Sequence, residues 1–419
     1  MRKHLTFFLL LAILFTAACS NNGDTTSSTG SDQSEESATA TAEPTAAPLT
    51  TEDETCQEFN IVDDIILASV DDNVPAVTDE DLVYGPADAK YTFITYSNFT
   101  CSHCANLEPI LESIQSLYPE DVRVVFRIVT TSGNSYIAAQ AAEAANMQGK
   151  FTEMKDVLFE YQATWYYYTE DEFHAWLDEQ ATAFDMDVDQ FNADMEDEAT
   201  IAKLDRNREM VDEIGITGTP TLYINNRQYI QSRSVALFAI LINLMNNSDR
   251  MLGACPSIDS TFTGDLQAII STTKGDIVVD LYEDTAPYTV AYFKYLAENG
   301  WYDNNNVFVS TSEYMISGDP SNTQYGDPGF AFFNESSDQT LDEEGLLVSF
   351  NQLGEGYNTG MFMITKGAVT GYEFPYGYSV FGKVIEGMDV LNSIEDRYFS
   401  LDPADVFSDT ITGITIVEK

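Results

Sequence analysis

Two different spacings of apolar residues divide the chain. Tyr91–Tyr96 alternates and is rich in β-branched and aromatic residues, and Val122–Val129 repeats the pattern, so both predict strands. Between them Leu107, Ile110, Leu111, Ile114 and Leu117 recur at helical spacing within Ala105–Tyr118. The result is a strand–helix–strand start whose helix begins at Cys101-Ser102-His103-Cys104. Beyond Cys255-Pro256 the period changes. Leu266–Ser271 and Ile277–Tyr282 alternate on either side of a turn at Thr273–Asp276, which predicts a hairpin. Ala286–Asn299 reads as a helix with Pro287 in its first turn. Glycine-rich turns and short apolar strands fill the rest, the pattern of an antiparallel barrel with one or two helices.

The extreme N-terminus has neither spacing. Arg2, Lys3 and His4 precede the apolar run Leu5–Phe15, and small residues lead to Ala17-Ala18-Cys19. That order is a signal peptide, with an apolar stretch short for a membrane span. It resembles a lipoprotein signal in which Cys19 becomes the acylated N-terminus. Thr16 departs from the aliphatic residue usual there, and plain secretion is the alternative. Residues 20–54 are dominated by Ser, Thr, Ala, Asp, Glu and Gly and read as a disordered tether. The expected organisation is a signal over 1–19, a linker over 20–54, a first domain over 55–254, a linker over 255–261 and a second domain over 262–419. The protein is then expected to be exported and membrane-anchored through Cys19, at the cell surface or on the periplasmic side.

Composition narrows the partners. Of 419 residues, 19 are basic and 68 acidic, a net charge of −49 that excludes nucleic acid as a partner. An acidic surface keeps an exported protein soluble, and it also suits cationic or unfolded basic clients. Of the five cysteines, Cys101 and Cys104 pair naturally with each other, and Cys19 is set aside if it carries the lipid. That leaves Cys56 and Cys255, expected to form a structural disulfide clamping the two ends of the first domain. A second redox pair exchanging with Cys101 is the competing reading. Zinc ligands usually come in close pairs, which a single CxxC with isolated Cys56 and Cys255 does not offer. No metal and no cofactor are expected.

A CxxC at a helix start has a chemical logic. The thiolate is the nucleophile in disulfide exchange, and the helix N-terminus stabilises it. Cys101 is the expected attacking thiolate and Cys104, one turn deeper, the resolving thiol. Ser102 and His103 lie between them, and a cationic His103 would favour the reduced form. Gly85-Pro86-Ala87-Asp88-Ala89, the strand, and Phe99–Cys104 resemble the DsbA-like branch of the thioredoxin superfamily. Ala138–Phe159 resembles that family's helical insertion, and Gly215–Asn225 its late turn and strand. The resemblance implies an α/β thioredoxin fold with a helical insertion. It also implies that Pro220 is cis and packs against the CxxC, and that Thr219 offers its backbone to a client peptide. Ser102 and Asn98 depart from the commonest family residues and leave the redox potential open. His174 reads as a surface or core histidine. Trp165–Tyr168 reads as packing, with a client groove as the alternative.

Thr273–Tyr282, Ala286-Pro287, Gly300-Trp301-Tyr302, Gly318-Asp319-Pro320 and Val380–Val390 resemble cyclophilin, which implies a mostly-β antiparallel barrel. Its catalytic positions differ. The family's arginine falls at Ser310 in Phe308-Val309-Ser310, and a glutamine falls at Met361 in Gly360-Met361-Phe362-Met363. Another glutamine is replaced near Ser317. Twisting a prolyl bond crosses a barrier of about 18–20 kcal/mol, and no obvious donor remains to lower it. Phe308, Tyr314, Met315, Phe362 and Met363 are the expected apolar groove. The domain therefore reads as a module binding proline peptides or unfolded clients, with weak or absent isomerase activity.

Together these readings point to an extracytoplasmic thiol–disulfide oxidoreductase acting on unfolded or cysteine-containing exported proteins, served by an unidentified redox partner. The alternatives are a disulfide reductase joined to an active peptidyl-prolyl isomerase, and a redox-inert chaperone-like lipoprotein.

Overall fold

The computed structural model describes residues 56–63, 67–262, 264–350, 357–370, 372, 374, 377–401 and 409–419. Cys19 and the tether lie outside them. The chain runs through β1 (Cys56–Glu58), β2 (Leu67–Val70), β3 (Leu82–Tyr84) and β4 (Tyr91–Ser97) into α1 (Ser102–Leu117) and β5 (Val122–Ile128). Helices α2 (Asn134–Met147), α3 (Phe151–Glu160), α4 (Gln162–Trp165), α5 (Glu170–Ala183), α6 (Val188–Met195) and α7 (Glu198–Glu213) follow. The hairpin β6 (Thr221–Ile224) and β7 (Arg227–Tyr229) and then α8 (Val235–Asn246) complete the first domain.

Its six-stranded sheet has the order β2-β7-β6-β4-β5-β3. The β4–β5 pair is parallel, as the crossover through α1 requires, and the other pairs are antiparallel. Central β4 is covered on both faces. Phe93 packs with Leu107, Leu111 and Ile114 of α1 and Phe238, Leu241 and Ile242 of α8. Ile94 and Tyr96 face the other way, towards Val211 of α7. This double cover makes β4 a near-continuous apolar strand, and its fixed C-terminal end carries the CxxC. The insertion helices form their own core around Phe151, Met154, Leu158, Trp165 and Phe173, and that core reaches Phe99 and Cys104. Trp165 is fully buried and stacks on Phe173 at 4.8 Å, whereas Tyr166 and Tyr167 are exposed.

The second domain begins with the hairpin β8 (Leu266–Thr272) and β9 (Gly275–Leu281), then α9 (Pro287–Glu298) with proline in its first turn. The strands β10 (Asn305–Asn306), β11 (Val309–Ser310), β12 (Tyr314–Ser317), β13 (Phe330–Phe333), β14 (Leu346–Phe350), β15 (Tyr357–Asn358), β16 (Phe362–Thr365) and β17 (Tyr378–Glu386) follow. Helix α10 (Met388–Ser393) and β18 (Thr410–Glu418) end the chain. Nine strands form one antiparallel sheet in the order β10-β18-β8-β9-β17-β14-β16-β12-β11. The order runs from edge to edge, so this is a curled half-barrel with α9 packed on its core through Val290, Phe293 and Leu296. Gly387 opens α10 at φ +87°, where a Cβ would stand 2.4 Å from the Asp276 carbonyl oxygen. Only glycine fits there.

Cys56 and Cys255 are joined in a disulfide, with Cα atoms 6.0 Å apart. It joins the chain entering the first domain to the chain leaving it, and both half-cystines lie against the second domain. β1 pairs with β13, so Cys56 lies opposite Phe332 and joins the core of the second domain, against which Cys255 also packs. The exit segment follows the same surface: Leu252 N–H donates to Pro328 O at 2.7 Å, and Arg250 donates to the carbonyls of Gly300, Trp301 and Asp303. The physical reason is that an unpaired strand edge in the second domain takes up the entering segment. Replacing both cysteines by serine is expected to cost about 2–4 kcal/mol. The loss should appear in calorimetry as a lower melting transition for the second domain and in hydrogen exchange as lost protection at Phe330–Phe333. Unchanged protection there would show that β1 holds without the bond.

Candidate active site

Cys101 is the N-cap of α1, and no side-chain oxygen caps this helix. The first N–H groups of a helix carry partial positive charge, and the His103 and Cys104 backbone of this first turn favours the ionised Cys101 sulfur. Cys101 is part-exposed and Cys104 fully buried, and both are free thiols. The turn preceding them is held by Asn98. Its side-chain oxygen accepts from Thr100 N–H at 2.8 Å, from the Thr100 hydroxyl at 2.7 Å and from the Ser135 hydroxyl at 3.1 Å. Its backbone N–H donates to Cys104 Sγ at 3.5 Å. The residue that departs from the family pattern thus fastens the CxxC loop. Gln162 of α4 adds a bond to Phe99 O at 2.6 Å.

From the opposite side comes the Thr219-Pro220 turn, whose peptide bond is cis. The Cys101 thiol donates to Thr219 O at 3.3 Å. Sequence-distant residues are therefore brought together as expected from the resemblance: Cys101, Cys104, Thr219 and Pro220 share one place. Ser102 and His103 are exposed beside them, and His174 is part-exposed on α5.

The two thiols are driven apart electrostatically. Burial pushes Cys101 up, but hydrogen bonding from the Thr219 side chain, from Cys104 and from the His103 backbone outweighs it and holds the thiol below its ordinary value. Burial dominates at Cys104 and pushes it up to about 11, against bonds from the Asn98 backbone and the Ser97 side chain. One sulfur is part-exposed and ionises more readily than an ordinary thiol; the other is a buried thiol that ionises less readily.

One buried charge cluster went unread in the sequence. Lys155 of α3 is fully buried and pairs with Glu108 at 3.0 Å, with Asp156 at 2.7 Å and with Glu112. The Tyr84 hydroxyl donates to Glu108 at 2.8 Å. Burial opposes the Lys155 charge, yet Glu108, with Asp156 and Glu112, holds it above its ordinary range. Glu108 stands one turn below Cys104 on α1, so the cluster ties the CxxC helix to the insertion. The available signal was Lys155 itself, which falls on the apolar stripe of Phe151, Met154 and Leu158. Among the described residues no three His, Cys, Asp or Glu side chains are placed to hold a metal ion.

In the second domain the expected groove residues separate. Phe308, Met361 and Met363 are buried in one apolar cluster with Ile316 and Val348, and Tyr314 packs against it. Met315 and Phe362 belong instead to the main core. Side chains alternate along strands, so neighbours in sequence cannot share a face: Ile316 lies opposite Met363, and Met315 opposite Ile364. Ser310 is buried on β11. It lies opposite Met315, accepts from Lys366 Nζ at 2.8 Å and exchanges backbone bonds with Arg397. Val309 packs on the Phe308 cluster in its place. That cluster is rimmed by Tyr314, Tyr372, Phe374 and Tyr378, with successive ring centroids 5.5, 4.8 and 4.7 Å apart.

Residues 77–243 match the family model described as thioredoxin, and residues 267–417 that of cyclophilin type peptidyl-prolyl cis-trans isomerase. The chain is 34% identical over 164 residues to a Na(+)/H(+) antiporter NhaA 3 of Salinispora tropica, covering 38% of this chain and 24% of that protein. It is 37% identical over 132 residues to the peptidyl-prolyl cis-trans isomerase cyp15 of Rhizopus delemar, covering 30% and 21%. It therefore spans about a quarter of the length of the curated relatives it matches. Among solved structures, alpha-DsbA1 of Wolbachia pipientis is 20% identical, with 42% of this chain and 95% of that one covered and a TM-score of 0.37. A cyclophilin type isomerase of Cryptosporidium parvum is 23% identical, with 37% and 99% covered and a TM-score of 0.32.

The inequality of the thiols has a direct readout. A lowered thiol carries more thiolate at any given pH below its titration, so Cys101 should alkylate at pH 6–7 faster than a free cysteine, whose value is about 8.5. Cys104 should stay unmodified until the chain is unfolded. Mass spectrometry after a timed iodoacetamide pulse distinguishes them, and equal labelling of both would defeat this assignment.

Proposed function

We propose that this chain, which joins a DsbA-like thioredoxin domain to a cyclophilin-type domain, is an extracytoplasmic thiol–disulfide oxidoreductase that forms or rearranges disulfides in exported proteins. The observation that carries the reading is the Cys101 sulfur set between the α1 N-terminus and Thr219 O, with Cys104 buried one turn below. In the oxidised enzyme a client thiolate attacks Cys101 Sγ. The Cys101–Cys104 bond breaks, and Cys104 leaves as a thiolate and takes up a proton. A second client thiolate then attacks the client sulfur of the mixed disulfide, and Cys101 leaves as the stabilised thiolate. Two electrons pass from client to enzyme, and a disulfide-bearing redox partner takes them onward.

Anchorage through Cys19 and clients that are unfolded or cysteine-containing belong to the same proposal. The second domain holds such clients near Cys101 and contributes little isomerisation. Supporting that part, Ser310 is engaged by Lys366 and Arg397, and Val309, which carries no donor, occupies the cluster face. A tethered second site raises the local client concentration without new chemistry at the CxxC.

Two measurements test the proposal. With Cys104→Ser, the Cys101 thiolate should attack a client that carries a disulfide, expel one client thiolate and, with no second enzyme thiol to resolve it, stay bound as a mixed disulfide visible on non-reducing gels, whereas Cys101→Ser should abolish both trapping and exchange. The reduction potential should fall between about −120 and −190 mV, and a value near −270 mV, that of a reductase, would sink the oxidase reading. Separately, prolyl isomerisation of a proline peptide by the full chain should be indistinguishable from the uncatalysed rate. A cyclophilin-like rate would show that another donor reaches the prolyl nitrogen.

A further inference from the structure

The Thr219-Pro220 turn meets Cys101 through backbone oxygen, so its position decides what the sulfur meets. Three contacts fix that turn. The Thr221 hydroxyl donates to Gly218 O at 2.7 Å, and the Cys101 thiol donates to Thr219 O at 3.3 Å. The third comes from outside the turn: Arg233 donates through a terminal nitrogen to Pro220 O at 3.2 Å.

Arg233 is well placed for this. It directly precedes Ser234, whose hydroxyl accepts from Leu237 N–H at 3.2 Å and caps α8. On its other side the Tyr229 hydroxyl donates to Ser232 O at 2.8 Å. The backbone that carries Arg233 is therefore pinned on both flanks, and the part-buried side chain reaches back over the hairpin to the turn. Its buried Nε has no hydrogen-bond partner among the described residues. The guanidinium is held through Pro220, and a buried donor is left unpaired in keeping it there, which carries a free-energy cost.

We propose that Arg233 is a positioning residue for disulfide exchange: by holding Pro220 O it fixes Thr219 against Cys101. The inference rests on the oxidoreductase reading and adds a residue that neither the CxxC nor the turn contains. The neutral thiol donates to Thr219 O. Once Cys101 ionises that donation is lost, and the thiolate draws hydrogen bonds from the Thr219 side chain and the first amides of α1 instead. Both states need Thr219 at a fixed distance. A turn free to move away weakens the bonds to the thiolate, and loss of the guanidinium removes a positive charge from the same region. Both effects raise the titration of Cys101 and slow its reactions at neutral pH.

The test uses the full chain with Arg233→Gln and Arg233→Lys. Three quantities are read: the pH midpoint of Cys101 alkylation, the exchange rate with oxidised glutathione at neutral pH, and the thermal unfolding midpoint. Arg233→Gln should raise the alkylation midpoint and slow exchange on the order of tenfold, the scale of one lost bond to a charged group. Arg233→Lys should restore most of both, because a donor to Pro220 O is regained. An Arg233→Gln variant with the wild-type midpoint and rate overturns the proposal. So does an Arg233→Lys variant as slow as Arg233→Gln with an equally lowered unfolding midpoint, which marks a purely structural arginine. If Arg233→Gln does not fold, Arg233→Met takes its place against the same three readouts, and equal alkylation midpoints in Arg233→Met and Arg233→Lys refute positioning. Wild-type protein that exchanges no disulfide removes the oxidoreductase reading, while the alkylation midpoints still report on Arg233.

Discussion

A helix that starts on a sulfur cannot satisfy its first amides in the usual way, and the site follows from that constraint. In the same domain α5, α6, α7 and α8 begin on Thr169, Asp187, Asp197 and Ser234, whose oxygens accept from the first turn. Helices α2, α3 and α4 have no side-chain cap either, but α1 alone among the described helices begins on a sulfur, that of Cys101. A thiol is a poor acceptor and a thiolate a good one, so the helix is best satisfied when Cys101 is ionised. The free energy of completing the cap is thereby coupled to the charge on the nucleophile. The double cover of β4 and the Asn98 turn matter because they hold that unsatisfied start at one point in space.

Much of this geometry was legible from the sequence because it is local. The apolar period of α1, the alternation of β4 and the spacing of Cys101 and Cys104 are short-range facts, and together they place a CxxC at a strand-to-helix junction. The meeting of Thr219 with Cys101 is long-range and came only through resemblance to a family. Lys155 shows what local reading discards. A charge on an apolar stripe looks like noise until its partners, Glu108 and Glu112 on another helix, are brought beside it. Breaking such a buried set by removing one partner costs about 3–5 kcal/mol, so it constrains how α1 sits against the insertion.

The second domain shows the opposite failure. Its strands were readable, but the faces of individual residues were not, because a shift of one residue exchanges the two sides of a strand. Matching Phe308-Val309-Ser310 to a family run put Ser310 at the arginine position. Pairing with β12 sets Ser310 across from Met315 and Val309 across from Ile316, which the match by itself does not reveal. Met315 and Phe362 left the expected groove for the same reason. The disulfide was readable as a pairing and not as a location: cysteine arithmetic joins Cys56 to Cys255, but only the β1–β13 register places both on the second domain.

That location changes what the link between domains does. Two modules joined by one flexible segment sample many orientations, and the gain from a second client site falls with the volume they explore. Here the chain entering the first domain and the chain leaving it are both laid on the second domain and covalently closed on each other. Arg250 bonds three carbonyls across the same seam, and Leu401 of the second domain packs against the α1–α8 core of the first. Two attachment points resist rotation where one would act as a swivel. Under the function proposed above, a client held by the second domain would meet Cys101 from a restricted set of directions. Such a restriction would favour particular cysteines over a general search, and would tie selectivity in the redox step to the seam as much as to the thiols.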